Sequence, residues 1–473
     1  MNPISQKVIR AWSGLGPGFL PFADAATADV PLSRLLRLSL FQVSVGMAMV
    51  LIVGTLNRVM IVELGVPASV VAVMISLPVL YAPFRTLVGF RSDTHRSALG
   101  WKRVPFIWMG TMLQFGGLAI MPFALLVLSG GGNAAAWPAW IGPVCAGLAF
   151  LLVGAGLHTI QTAGLALATD LVPTESQPTV VGLMYVMLLL GTVVSALVFG
   201  TLLVDFSPGR LVQVIQAAAV LTIVLNIVAL WKQETRRPPR NVGAVPAPAR
   251  PSFRQAWRCF IAGDHAVRRL VAIVLGTMAF TMQDVLLEPY GGQVLGMTVA
   301  QTTLLTATLA GGGLVGFAFA SRTLTRGADP FRMAVAAALL GIPAFGMVIA
   351  AGPIESLPLF ATGVFLLGFG TGVFGHGTLT ASMRFAPRDQ IGLALGAWGA
   401  AQATAAGVAV ALGGIIRDVV DAFASRELFG PTLTGPATGY GAVYCIEIAL
   451  LFATVVVMVP LVGEKRTVSF AGS

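Results

Sequence analysis

The chain has 473 residues, of which 56% are hydrophobic and only 10% charged, with a mean hydropathy of +0.86, far from the roughly 25% charged residues of soluble domains. Repeated apolar runs of about 20 residues, each long enough to cross ~30 Å of hydrocarbon, exclude a soluble domain and make this an all-α polytopic membrane protein. A net charge of +10 would suit nucleic acid if the basic residues formed one patch, but all except Arg58, Arg210, Arg417 and Arg426 fall in the amino-terminal segment, alternate loops and the carboxy-terminal tail. That asymmetry is the positive-inside pattern, predicting cytoplasmic termini and no nucleic-acid partner.

Residues 1–37 carry Trp12, Phe19 and Phe22 among glycines and prolines, then Arg34 and Arg37, a composition suited to the cytoplasmic interface. No cleavable signal is expected, because these residues lack an uninterrupted apolar core. Hydropathy predicts an N-terminal bundle over 38–231, with helices at about 38–62, 68–90, 105–128, 141–169, 178–203 and 210–231. Residues 232–267 form a Pro- and Arg-rich cytoplasmic linker. The linker ends in an amphipathic stretch, Ser252 to Gly263, where Phe253, Trp257, Phe260 and Ile261 recur at helical spacing beside Arg254 and Arg258. A second bundle, 268–462, has helices predicted at about 268–289, 299–321, 331–351, 357–385, 391–416 and 438–461. A long outer loop, Asp418 to Gly439, joins the last two, and 463–473 is a tail. Cys145, Cys259 and Cys445 are odd in number and widely spaced, implying neither a disulfide framework nor a thiolate metal site.

Twelve spans in two groups of six follow the plan of the major facilitator superfamily, two pseudo-symmetric bundles. A shift of 231 residues lays Leu64-Gly65 on Leu295-Gly296 and Arg91 on Arg322, and a shift of 214 lays Pro173 on Pro387 and Gly182 on Gly396. Between helices 2 and 3, GFRSDTHR contains Gly89, Asp93 and Arg96, a cytoplasmic latch of the superfamily type in which Asp93 accepts hydrogen bonds from an Arg or a helix amino terminus. GGGLVG at Gly311 to Gly316 lacks the Lys-Ser/Thr of a phosphate loop, so no nucleotide is expected, and its small residues read as a helix contact.

The combination LNRVMIVELG (Leu56 to Gly65), GFRSDTHRSALGWKRVPFIW (Gly89 to Trp108) and DVLLEPYGGQVLGM (Asp284 to Met297) resembles the PucC/LhaA family, the bacteriochlorophyll-delivery branch of the superfamily. The resemblance covers essentially the whole chain. It implies an assembly factor of the bacterial photosynthetic inner membrane, binding or delivering bacteriochlorophyll or chaperoning antenna polypeptides, with the core antenna and reaction centre or pigment-synthesis enzymes as further partners.

Read from the residues, Asp284 and Glu288 lie one turn apart on one face of helix 7, and Arg58 and Asn57 reach the same depth on helix 1. This predicts an intramembrane charge network in which Arg58 meets Glu288, since buried charges are tolerated when paired. The same carboxylates support a rival reading as a proton-coupled secondary transporter of a small solute. An enzyme that holds Mg²⁺-diphosphate would need paired Asp-rich motifs, and these are lacking, so binding without chemistry is the expectation. A chlorin Mg²⁺ leaves an axial site open to imidazole, amide oxygen or water. His158 and His376 fall within apolar spans, while His95 and His265 do not, and Gln114, Gln161 and Gln283 offer amide oxygens. Gly392, Gly396 and Gly399 on helix 11, with the Gly-rich helix 8, are the candidates for contact with antenna helices.

Overall fold

A computed structural model describes residues 30–81, 101–173, 176–234, 265–385, 391–430 and 434–463, with 85, 88, 89, 91, 92, 97 and 261. Asp93, Arg96, Cys259, most of the linker and nearly all of the interfacial stretch lie outside the described residues, as do the environments of the Gly392 and Gly396 side positions. The first bundle comprises α1 (Leu32–Glu63), α2 (Ala68–Leu80), α3 (Val104–Leu128), α4 (Ile141–Asp170), α5 (Gln177–Leu202) and α6 (Pro208–Leu230). The second comprises α7 (Ala266–Gln293), α8 (Val299–Thr325), α9 (Pro330–Ile354), α10 (Leu357–Phe385), α11 (Ile391–Ala424) and α12 (Ala437–Met458). Among the described residues eleven of these are long and apolar enough to span a membrane, and α2 is a shorter apolar helix.

Helix ends follow local chemistry. Thr298 and Gln301 form a reciprocal capping box at α8, Asp329 accepts the Phe331 N–H at 2.9 Å to start α9, and Ser207 accepts from Arg210 at 3.1 Å to start α6. The start of α3 is capped from a distance: the Glu234 carboxylate, just beyond α6, accepts the backbone N–H groups of Lys102 (2.6 Å), Arg103 (3.0 Å) and Val104 (3.0 Å). Replacing Glu234 with Ala is expected to lower stability by about 1 kcal/mol, the usual value of a helix cap, read as a fall in the melting temperature of the solubilised protein. The internal repeat is visible in backbone angles, because Gly65 (φ +64°) and Gly296 (φ +63°) end α1 and α7 with the same left-handed turn.

Three spans depart from the predicted bounds, the first being α2, which ends at Leu80, ten residues short of the predicted 90. α11 continues to Ala424, so the loop expected from Asp418 begins later: Arg417 pairs with Asp418 at 2.9 Å and with Asp421 one turn on at 3.9 Å, which makes this segment a helix face. α7 is not one continuous helix. It breaks after Thr281 into a 3-10 turn, Met282–Val285, before a short helix, Leu287–Gln293.

The halves meet where α1 touches α7 and α8, α2 touches α11, and α5 touches α8, while α4 and α10 pack chiefly within their own bundles. Among the described residues, four hydrogen bonds cross between halves at the end where α1 and α7 finish: Thr55 with Thr303 (3.2 Å), Asn57 to the Val285 carbonyl (3.0 Å), Arg58 to the Met297 carbonyl (3.2 Å) and the Ser69 N–H to Asp418 (2.6 Å). Below that closed end lies a cavity.

Candidate functional site

The cavity occupies about 300 Å³ between the bundles. α1 contributes Val50, Val53 and Gly54, α5 Leu188 and Thr192, α8 Leu305 and Thr306, and α10 Gly368 and Thr371. From α7 come Phe280, Gln283, Asp284, Leu287 and Glu288, which is the break and its two carboxylates. Met49 lines the cavity and is 39% exposed, so the space communicates with the protein surface.

The break in α7 has a cause in sequence. Pro289 has no N–H to donate to the carbonyl four residues back, that of Val285. Asn57 of α1 supplies the missing donor: its Nδ2 lies 3.0 Å from that carbonyl, with Asn57 fully buried. The proline opens the helix and an amide on the symmetry-related helix closes the hydrogen-bond account, joining the halves at the cavity roof. Asn57→Leu is expected to orphan a buried carbonyl, worth about 1–3 kcal/mol. Pro289→Ala in the same chain, restoring an N–H at 289, should recover part of that loss in thermal melting. A double variant no more stable than Asn57→Leu would contradict this role.

Arg58 does not meet Glu288. Its guanidinium pairs with Glu63 at the end of α1 and donates to the Met297 carbonyl, and Gly292 leaves it room, since a Cβ there would stand 3.2 Å from Arg58 Nε. Glu288 sits one turn deeper against Gly54, where a Cβ would come within 2.6 Å of its Oε1. That oxygen accepts from the Thr306 hydroxyl, while Oε2 is buried with no hydrogen-bond partner. Arg58 instead extends toward the helix end, where Glu63 is partly exposed and the pair is cheaper to hydrate. Arg58→Leu is therefore expected to couple more strongly to Glu63→Leu than to Glu288→Leu in double-mutant cycles of melting temperatures.

The remaining residues of DVLLEPYGGQ anchor the segment. Tyr290 packs against Phe360, Tyr440 and Tyr444 with ring centroids 5.5, 5.5 and 5.6 Å away, and donates to the Val348 carbonyl at 3.2 Å. Gln293 Oε1 accepts from both Arg417 (2.8 Å) and Tyr440 (2.7 Å). The carboxylates and Gln283 are thus held on a rigid support.

Of the five ligand candidates, the structure brings one to the cavity. Gln283 is fully buried, donates its Nε2 to the Phe280 carbonyl at 3.1 Å and keeps an unpartnered Oε1. Gln161 is engaged by Arg85 at 3.1 Å, and Gln114 donates to the Ser44 carbonyl (3.0 Å) and Thr222 (3.2 Å) inside the first bundle. His158 on α4 and His376 on α10 each have a buried Nδ1 without a partner, and neither is among the cavity-lining residues. The His376 ring packs 4.3 Å from Phe317. At the latch, Gly89 places its carbonyl 2.8 Å from the Ser92 hydroxyl, which in turn accepts from Arg103 at 2.5 Å; Arg103 also holds Asp170 at 3.0 Å. On α8, Gly312 and Gly316 lie against the α10 backbone, whereas a Cβ on Gly311, or on Gly399 of α11, would meet nothing within 4 Å.

Glu447 of α12 did not emerge from the sequence reading. It is fully buried and neither carboxylate oxygen has a hydrogen-bond partner. The signal was present, a lone carboxylate in the apolar run YCIEIALL, the same kind of signal that singled out Asp284.

The family model for "PUCC protein" matches residues 55–466. "Protein PucC" of Rhodovulum sulfidophilum is 62% identical over 420 residues, covering 89% of this chain and 92% of its own, and "Protein PucC" of Cereibacter sphaeroides is 55% identical, covering 98% of each. A more distant relative, the "Bacteriochlorophyll synthase 44.5 kDa chain" of Rhodobacter capsulatus, is 28% identical over 92% of this chain and 96% of its own. Among solved structures, a bacterial homologue of the human lysosomal transporter Spinster, inward-facing and unoccupied, superposes with a TM-score of 0.66 at 14% identity, over 90% of this chain and 96% of that one. That likeness gives the fold, a multi-pass major-facilitator arrangement, and the sequence matches give the lineage: the chain belongs to the PUCC protein family.

Proposed function

We propose that this protein is a non-enzymatic assembly factor for a bacterial light-harvesting antenna, holding bacteriochlorophyll in the cavity between its bundles and releasing it to antenna polypeptides. The observation that carries the reading is the pair of unpartnered buried oxygens, Gln283 Oε1 and Glu288 Oε2, on the wall of an otherwise largely apolar cavity. A chlorin Mg²⁺ accepts a hard oxygen donor on its axial side. An unsatisfied buried acceptor costs free energy unless something fills it. At about 300 Å³ the cavity is at the small end of ligand sites, roughly 300–1,000 Å³, so it suits part of a macrocycle with the hydrocarbon tail leaving past Met49 toward lipid. Similarity to PucC proteins and to a chain named bacteriochlorophyll synthase supports a pigment-linked reading.

In this reading both termini are cytoplasmic in the photosynthetic membrane, and antenna helices dock on the lipid-facing surface, with Gly399 offering an open small-residue position. Core-antenna and reaction-centre partners fit it as well as peripheral ones. The test is the absorption spectrum and partner content of the gently solubilised protein from a phototrophic host: bound bacteriochlorophyll with antenna polypeptides is expected, and neither would overturn the proposal. A second reading, proton-coupled transport of a small solute, is favoured by the two carboxylates on the cavity wall. Solute uptake into vesicles driven by a pH gradient, without pigment in the purified protein, would select it.

A further inference from the structure

Arg85 is a cation held against the inside of a span with no counter-charge. It follows α2 in helical conformation and reaches α4, where its Nε donates to the Thr162 hydroxyl at 3.1 Å and its Nη2 to Gln161 Oε1 at 3.1 Å. Gln161 lies nine residues before Asp170, the last residue of α4, so the contact sits about 13 Å inside that helix end at the rise of an α-helix. Charged groups at such depth pair with an opposite charge as a rule. Among the described residues Arg85 meets neutral oxygens only. The described carboxylates at this end of the first bundle are engaged elsewhere, Asp170 by Lys102 and Arg103, and Glu234 by the start of α3.

The cluster holds more donors than acceptors. A guanidinium donates through all its N–H groups and accepts nothing, so Gln161 turns its oxygen to Arg85 and leaves its Nε2 as a further donor beside the charge. Thr162 accepts the Nε–H and donates its own O–H to the His158 carbonyl at 2.7 Å. His158, one turn back on α4, keeps a buried Nδ1 with no partner. The Nη1 group of Arg85 and the Nε2 group of Gln161 find no acceptor among the described residues. There is room for one. Arg85, His158 and Thr162 are only partly buried, and a Cβ on Gly89, one turn beyond Arg85, would find a single heavy atom within 4 Å, Thr162 Cγ2 at 3.8 Å. None of these residues lines the cavity between the bundles, so this is a second place.

We propose that Arg85 and Gln161 form a receptor for an oxyanion, a carboxylate or a phosphate, entering from the Asp170 end of α4. Oxygens of such a group accept from Arg85 Nη1 and Gln161 Nε2, and its charge supplies the counter-ion that the span lacks. Thr162 is a positioning residue, holding the Nε edge of the guanidinium against α4 so that the other edge is left for the anion. Carboxylate and phosphate share this chemistry, whether as the head of a membrane amphiphile or as a free ion. The receptor stands whether or not the cavity holds pigment. If Arg85 served only to tie its helix to α4, the melting behaviour of the protein would be indifferent to anions at this place.

The experiment is thermal melting of the full chain in a non-ionic detergent, titrated separately with oleate, phosphatidylglycerol, inorganic phosphate and, as the uncharged control, oleyl alcohol. A ligand that binds the folded state alone raises the melting temperature as its concentration rises. A rise with oleate or phosphatidylglycerol supports the receptor with a membrane amphiphile as occupant, and a rise with inorganic phosphate alone supports it with a free ion. The apparent dissociation constant is expected to weaken about tenfold or more in Arg85→Gln, which removes the charge-assisted pair. Gln161→Glu is the deciding variant, because it keeps the shape, puts a carboxylate beside Arg85 in place of the missing counter-ion and should abolish stabilisation by anions. Should Arg85→Gln not fold, Gln161→Glu decides alone. No rise in the wild type with any of the anions, an equal rise with oleyl alcohol, or stabilisation by anions undiminished in Arg85→Gln or Gln161→Glu would each overturn the proposal.

Discussion

Gly368→Val is expected to abolish accumulation of the folded protein, whereas Gly311→Val, on the facing helix, should leave it intact. α8 and α10 approach through interleaved glycines: Cβ atoms at Gly312 and Gly316 would collide with the carbonyls of Phe365 and Phe369, and Cβ atoms at Gly368 and Gly372 with those of Leu309 and Gly313. These obstacles are backbone, which cannot rotate aside as a side chain does, so the helices would have to separate. In a bilayer no hydrophobic drive pulls them back, since lipid tails solvate an apolar face as well as another helix does. Both helices line the cavity, so the damage would reach the site. Gly311 faces open space, with nothing within 4 Å of its Cβ position, and serves as the control of equal helix propensity. Immunodetection in membranes and monodispersity on size exclusion would read the contrast, and equal behaviour of the two variants would contradict the packing.

The second large effect concerns the cavity oxygens. Gln283→Leu combined with Glu288→Leu should reduce retained bacteriochlorophyll by about tenfold or more, a factor that corresponds to about 1.4 kcal/mol of lost interaction. Both substitutions remove buried polar groups that lack full partners, so they should not lower stability, and the melting temperature is expected to hold or rise. His158→Leu with His376→Leu is the informative comparison, because those rings lie outside the cavity lining. Loss of pigment in the histidine pair with none in the Gln283 and Glu288 pair would relocate the site to α4 and α10.

Much of the architecture was legible because bilayer physics writes it in long strokes. The apolar spans, the alternation of basic loops and the two-fold repeat, down to Gly65 and Gly296 in matching turns, could be read directly. The region of the site was legible too, since Asp284, Glu288 and Pro289 are anomalous inside a span. Pairings were not. Arg58 and Glu288 are offset by about a turn, and which way a long side chain extends depends on neighbours such as Gly54, Gly292 and Glu63 that only the packed structure brings together. The role of Asn57 required knowing that α1 lies against the carbonyl freed by Pro289. Glu447 carried the same warning as Asp284 and lacked only a motif around it to draw attention.

Whether Gln283 presents an oxygen to the metal of a pigment, as proposed, is read by resonance Raman spectroscopy of pigment bound to the purified protein. With histidine nitrogen isotopically labelled, the bands that report axial ligation are expected to stay in place, and to change in Gln283→Leu. Bands that move with labelled histidine, or that are identical in wild type and Gln283→Leu, would contradict it.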